Sequence, residues 1–185
     1  NCIVSDFTFP QLDDRIRSLM RQEFDDDSKS RRVYVGKRLN ADGERVYLEA
    51  LPRAIEDGSP DDLQAELEPV PGDLWIPSII AKNGRTSTTP YTAAQTLAEG
   101  EFNRYYMRAV CIRALEEGDG RVRVRRAKTV ANERADYLVQ VAEGDVLDAN
   151  AVLDDIRRHP GDDTSLGMPR GPNSGLSVEF VPTRS

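Results

Sequence analysis

A chain of 185 residues suits one domain, and 31% charged against 38% hydrophobic residues is a polar but foldable composition, not a disordered one. With 25 Lys and Arg against 32 Asp and Glu, the net charge is −7, the pI is near 4.9 and the mean hydropathy is −0.56, which disfavours phosphate backbones and anionic lipid as partners. Two cysteines exclude a disulfide framework, and with a single histidine they fall short of the four ligands of a structural zinc site, so no metal or cofactor is expected.

An N-terminal arm at 1–10, NCIVSDFTFP, precedes a helix from about Gln11 to Phe24, with Leu12, Ile16, Leu19 and Met20 as its apolar stripe. Asp25–Asp27 and Ser28–Ser30 read as a solvated turn. Arg32–Leu39, RVYVGKRL, reads as a strand with a bulge at Gly36. The next helix uses Val46, Tyr47, Ala50, Leu51, Ala54 and Ile55, and Pro52 is expected to kink or restart it. Ser59-Pro60-Asp61-Asp62 opens a short helix: Ser caps it, Pro takes the first position, and the acids suit the positive end of the dipole.

Periodicity fades over 69–90, where Pro69, Pro71, Pro77 and Pro90 with Gly72 and Gly84 indicate an extended loop. Trp75, Ile76, Ile79 and Ile80 are its apolar anchors and candidate partner-binding residues. A central helix follows at about 101–117. At about 100° per residue, Phe102, Tyr105, Tyr106, Ala109, Val110 and Ile112 share a broad face, while Met107, Cys111, Ala114 and Leu115 occupy much of the opposite side. A helix apolar nearly all round belongs in the middle of a domain. Arg104 and Arg108 fall on its back and Arg113 at the centre of its main face. Each remains charged and needs a partner if buried, which makes the three ion-pair candidates.

Arg121–Lys128 reads as a strand that presents Arg121, Arg123 and Arg125 on one side and Val122 and Val124 on the other. Such a ribbon suits an acidic neighbouring subunit, or pairs with the chain's own carboxylates. No aromatic residues interleave to stack bases, so nucleic acid is disfavoured. Leu138–Val141 is a weaker strand, Asp148–Arg158 a helix stopped by His159-Pro160-Gly161, and Gly171–Gly175 a turn into a last strand, Leu176–Val181. The fold class expected is α+β: a near-fully buried central helix, a small sheet and several amphipathic helices, in one domain spanning 11–185.

The catalytic motifs are absent: there is no P-loop, no GxGxxG and no nucleophile elbow. His159 follows two arginines at a helix end, where a cationic imidazole suits the dipole. The acidic pairs Asp61-Asp62, Asp154-Asp155 and Asp162-Asp163 lack the alternating ligands of a calcium loop and read as solvated or dipole-facing residues.

Two resemblances bear on function. Arg32, Ser87-Thr88-Thr89 and Glu99-Gly100-Glu101 resemble the Arg, Ser-Thr-Ser and Glu-x-Glu elements of ADP-ribosyltransferases. That resemblance implies binding of a nicotinamide dinucleotide and stabilisation of an oxocarbenium ion. Here, however, the Glu pair follows the Ser-Thr run closely and enters a helix rather than a strand edge. Gly100–Gly118, Val122–Lys128 and Gly171–Phe180 resemble a pattern in bacterial and prophage-encoded proteins, which implies a bacterial or phage origin but no particular activity.

The leading expectation is a non-enzymatic structural or assembly subunit, as of a phage virion or another bacterial multisubunit assembly, whose partners are copies of itself or other subunits. The alternatives are a small enzyme or toxin-like domain using Arg, Glu and Ser/Thr chemistry, and an adaptor for one protein partner. No signal-peptide or membrane-spanning run is visible, so a cytoplasmic or virion-associated location is expected.

Overall fold

A computed structural model describes residues 7–129, 141–161, 164–166, 168 and 175–183. Among the described residues there are five helices, four of them around one long central helix, and two small antiparallel sheets: an α+β fold. Helix α1 is Asp14–Lys29, α2 Ala41–Asp57, α3 Pro60–Leu67, α4 Ala93–Glu117 and α5 Ala149–Arg158. Strands β1 (Ser78–Ile80) and β2 (Thr86–Thr88) form a hairpin, while β3 (Arg121–Arg126) lies between β4 (Val146–Asp148) and β5 (Leu176–Phe180). Among the described residues no helix is long and apolar enough to cross a membrane.

Helix α4 is the axis. It packs against α1, α3, α5 and the three-stranded sheet, so apolar residues on every side of it are buried. Phe102, Tyr106, Met107, Val110 and Cys111 are all inaccessible to solvent. The helix begins eight residues earlier than the sequence reading. Its first two turns, AAQTLAEG, carry little periodicity but are rich in alanine, the best helix former.

The helix starts follow local chemistry. Asp13 accepts from the Ile16 amide, Asn40 from Gly43, Ser59 from Asp62 and Asp148 from Ala151, each satisfying an otherwise orphaned donor. Pro52 does not restart α2, which runs on to Asp57. The carbonyl that loses its helical donor belongs to Leu48, a residue on the exposed face of the helix.

Three expectations are corrected. Asp25–Asp27 and Ser28-Lys29 are not a turn but the last turns of α1, because Asp27 has a cationic partner on α4 that a solvated acid would lack. Arg32–Leu39 is extended but not a strand. Among the described residues only Leu39 bridges, to Trp75, and no strand lies beside the segment, which is packed by Val33, Tyr34 and Val35. The 69–90 stretch is not structureless, since it contains the β1–β2 hairpin.

In the larger sheet, Val122 and Val124 face the core opposite Phe180 and Val178, and the arginines face outward, as the alternation requires. The described part of the N-terminal arm lies along the same sheet. The Thr8 amide donates to the Ala127 carbonyl at 3.0 Å, and Phe9 packs on Phe102 and Tyr106. Residues 1–6, Leu138–Gln140, Asp162-Asp163 and Gly171–Ser174, for which an arm, a strand, an acidic pair and a turn were expected, lie outside the described residues.

Candidate functional site

The three core arginines divide sharply in environment. Arg108 is held by two acids of α1: its guanidinium donates to Asp27 at 2.6 and 3.1 Å and to Glu23 at 2.8 Å. Arg157 of α5 reaches the other Glu23 oxygen at 2.5 and 3.0 Å, and the Tyr105 hydroxyl donates to Asp27 at 2.9 Å. Two acids and two arginines thus close a charge-neutral cluster joining α1, α4 and α5, buried at Glu23 and Arg108 and open to solvent at Arg157. Carboxylates on both sides keep Arg108 more firmly protonated than an ordinary arginine, against the opposing pull of burial. This cluster is scaffolding.

Arg113, expected at the centre of the apolar face, sits nearer the rim. It pairs with Asp13 at 2.7 Å and Glu117 at 2.9 Å, with its guanidinium over the Phe180 ring. The side of α4 that carries Arg104 and Arg108 is the deeper one, because α1 and α5 cover it.

Arg104 is different again. It lines a cavity of about 450 Å³ bounded by α4, the Val33–Leu39 segment and the base of the hairpin. Leu39, Trp75, Ile79 and Leu97 form apolar walls, while Lys37, Arg38, Glu101 and Arg104 supply charge. Glu101 and Arg104 are only 7% and 6% exposed, yet their closest approach, Oε1 to Nε, is 3.8 Å, too long for a hydrogen bond. Arg104 donates to the His159 carbonyl. Burial pushes the Glu101 carboxyl up to about 7, with Arg104 and Arg108 opposing that rise and Asp27 adding to it.

The other members of the ADP-ribosyltransferase-like set are dispersed in role. Arg32 is exposed just beyond α1, and Ser87 receives Arg38. Glu99 is fully buried, clamped by Lys128 at 2.8 and 3.0 Å and by Gln95 at 2.7 Å. Of that set, only Gly100 and Glu101 line the cavity.

The loop anchors split as well. Trp75 is 5% exposed, and its indole N–H donates to the Leu67 carbonyl at 2.7 Å, so it secures the loop to the protein's own core. The Ile76 amide donates to the Arg38 carbonyl, and Ile79 lines the cavity. Only Ile80 is an outward anchor: it is 79% exposed, as is Tyr91 just after the hairpin. The hairpin is tied at its base by Arg38, which donates to the Ser87 carbonyl, the Ser87 hydroxyl and the Thr89 hydroxyl at 2.9–3.2 Å. Beyond that base its strands pair chiefly with each other.

Charge separates the surfaces. From Ile76 to Ala98 the only charged residues are Lys82 and Arg85, both exposed at the hairpin tip, in a chain of net charge −7. Across α2 and α3 lies a shallow groove of about 490 Å³ lined by Ala50, Ala54, Leu63 and the acids Glu56, Asp57, Asp62 and Glu66, with Arg53 as its one cation. Glu66 pairs with Arg53, and Glu56 with Arg21. The arginine ribbon is engaged within the chain: Arg121 pairs with Asp119 at 2.7 Å, Arg123 with Glu179 at 3.6 Å, and Arg125 donates to the uncharged Thr8 carbonyl and hydroxyl.

Compared with known protein families, curated proteins and solved structures, the chain matches none. Sequence reasoning missed Glu101 as a cavity residue and Tyr91 with Lys82 and Arg85 as a projecting set. The signal for the second was legible as a run without acids in an acidic chain. For Glu101 the sequence offered only its place in the Glu99-Gly100-Glu101 resemblance, because burial of a glutamate in the third turn of α4 depends on segments far away in sequence.

Proposed function

We propose that this chain is a non-enzymatic assembly subunit that joins copies of itself, the hairpin of one copy seated in the acidic α2–α3 groove of the next. The observation that carries this reading is the hairpin itself, which projects Ile80 into solvent, with Tyr91 exposed just after it. An isolated two-stranded hairpin is marginal in water, and both its outer edges offer backbone donors and acceptors to a partner. Its Lys82 and Arg85 complement the groove's Asp57 and Asp62, and tyrosine is a frequent interface anchor. Because hairpin and groove are different patches, the contact is head-to-tail and builds a ring or filament rather than a simple two-fold dimer. A phage particle or another bacterial multisubunit structure is the setting that fits such repetition.

Light scattering of the purified chain at low and high salt tests this. Association that weakens with salt and is abolished by Lys82→Glu with Arg85→Glu is expected. Mixing that variant with Asp57→Lys/Asp62→Lys should restore a mixed oligomer. A monomer at every salt and concentration, or association unchanged by both variants, overturns it.

A further inference from the structure

The cavity beside α4 has a chemistry that assembly does not use, and the inference drawn from it is independent of the assembly reading. Two oppositely charged side chains, each more than nine-tenths buried, line it without forming a hydrogen bond to one another. Burying charge is costly unless the groups are well paired, and their 3.8 Å separation does not provide that. Arg108, one turn along the same helix, is held by three hydrogen bonds to carboxylates, although its Nε has no partner among the described residues. A guanidinium carries five N–H donors in a planar fork. Arg104 gives one group to the His159 carbonyl, which leaves the rest of the fork for a ligand.

Charge and shape then define the ligand. Lys37, Arg38 and Arg104 outnumber Glu101, so the cavity favours an anion. Arg38 makes three hydrogen bonds to Ser87 and Thr89, against one from Arg104 to His159, so Arg104 is the better placed to form a two-pronged contact. Trp75 and Leu97 offer apolar walls to the remainder of the molecule, and about 450 Å³ lies within the range of small-molecule sites. The geometry points to a binding site for a small organic acid, its carboxylate held by the Arg104 fork and its apolar or aromatic body against Trp75 and Leu97.

Calorimetric titration of the full chain with benzoate, phenyl phosphate and benzylamine tests this assignment. Saturable one-to-one binding of benzoate is expected, weaker for phenyl phosphate and absent for the cationic benzylamine. Arg104→Gln should weaken benzoate at least tenfold. Thr96→Trp, an exposed position at the cavity wall, should do the same by filling the space, and it decides the matter should Arg104→Gln fail to fold. No saturable benzoate binding, a preference for benzylamine or phenyl phosphate, or undiminished binding in Thr96→Trp each overturns the proposal.

Discussion

Arg108 of α4 and Asp27 of α1 meet as a two-pronged pair, with nitrogen–oxygen distances of 2.6 and 3.1 Å, deep between helices separated by some eighty positions in the chain. Glu23 takes a further donor from Arg108, so removing the arginine leaves two nearby acids with one cation, Arg157, and the Tyr105 hydroxyl, and Glu23 is only 3% exposed. Arg108→Met is therefore expected to cost about 3–5 kcal/mol in urea unfolding. A cost below about 1 kcal/mol would show that the cluster contributes little.

Glu101 gives stability a pH slope of its own. Burial raises its carboxyl from 4.5 to about 7, with Asp27 reinforcing the rise and Arg104 and Arg108 opposing it; the Tyr47 hydroxyl is also within its field. The folded state thus holds this proton more tightly than the unfolded chain. The group's contribution is full below about pH 4.5, is lost as pH climbs towards 7, and stays absent above. The amount is of the order of 3 kcal/mol. Glu101→Gln should remove that slope and be more stable than the parent at pH 8, as read from urea midpoints between pH 5 and 8. Parallel curves for the two proteins would contradict it.

Gly43, in the first turn of α2, has no room for a side chain. A β-carbon there would lie 2.2 Å from the Leu74 carbonyl oxygen and 2.9 Å from a Leu39 methyl. The oxygen is backbone and already accepts from the Asn40 amide, so it cannot step aside cheaply. Gly43→Ala should destabilise by about 1–3 kcal/mol despite alanine's better helix propensity. A thermal midpoint equal to or above the parent's would count against this packing.

Cys111 is enclosed within α4, where burial pushes its thiol well above the ordinary range. In a Cys2→Ser background it should resist iodoacetamide in buffer and react fully in guanidinium. Rapid labelling of the folded protein would show that α4 is reachable.

What the sequence disclosed and what it withheld follow one physical division. The buried character of α4 was legible because Phe102, Tyr106, Val110 and Cys111 announce it within a single window, and the β3 alternation of Val122 and Val124 between arginines likewise needs only neighbours. Misreadings arose where distant partners decide. Asp25–Asp27 resembles a solvated turn until Arg108 arrives from α4, and RVYVGKRL resembles a strand, but among the described residues no second strand lies beside it. Trp75 looked like an outward anchor because a proline-rich context says nothing of the Leu67 carbonyl that receives its indole. The cavity was invisible for the same reason, being bounded by segments at 33–39, 75–79 and 97–104.

Trp75 is the only tryptophan of the chain, and it stands where the cavity wall meets the base of the hairpin. Its ultraviolet emission is consequently a built-in reporter at the junction of the two proposed sites. An organic acid entering beside the indole would alter the intensity, and a hairpin clamped by a neighbouring copy would alter the polarisation. Both events can thus be followed in the unlabelled protein, through one chromophore and by separate optical signatures.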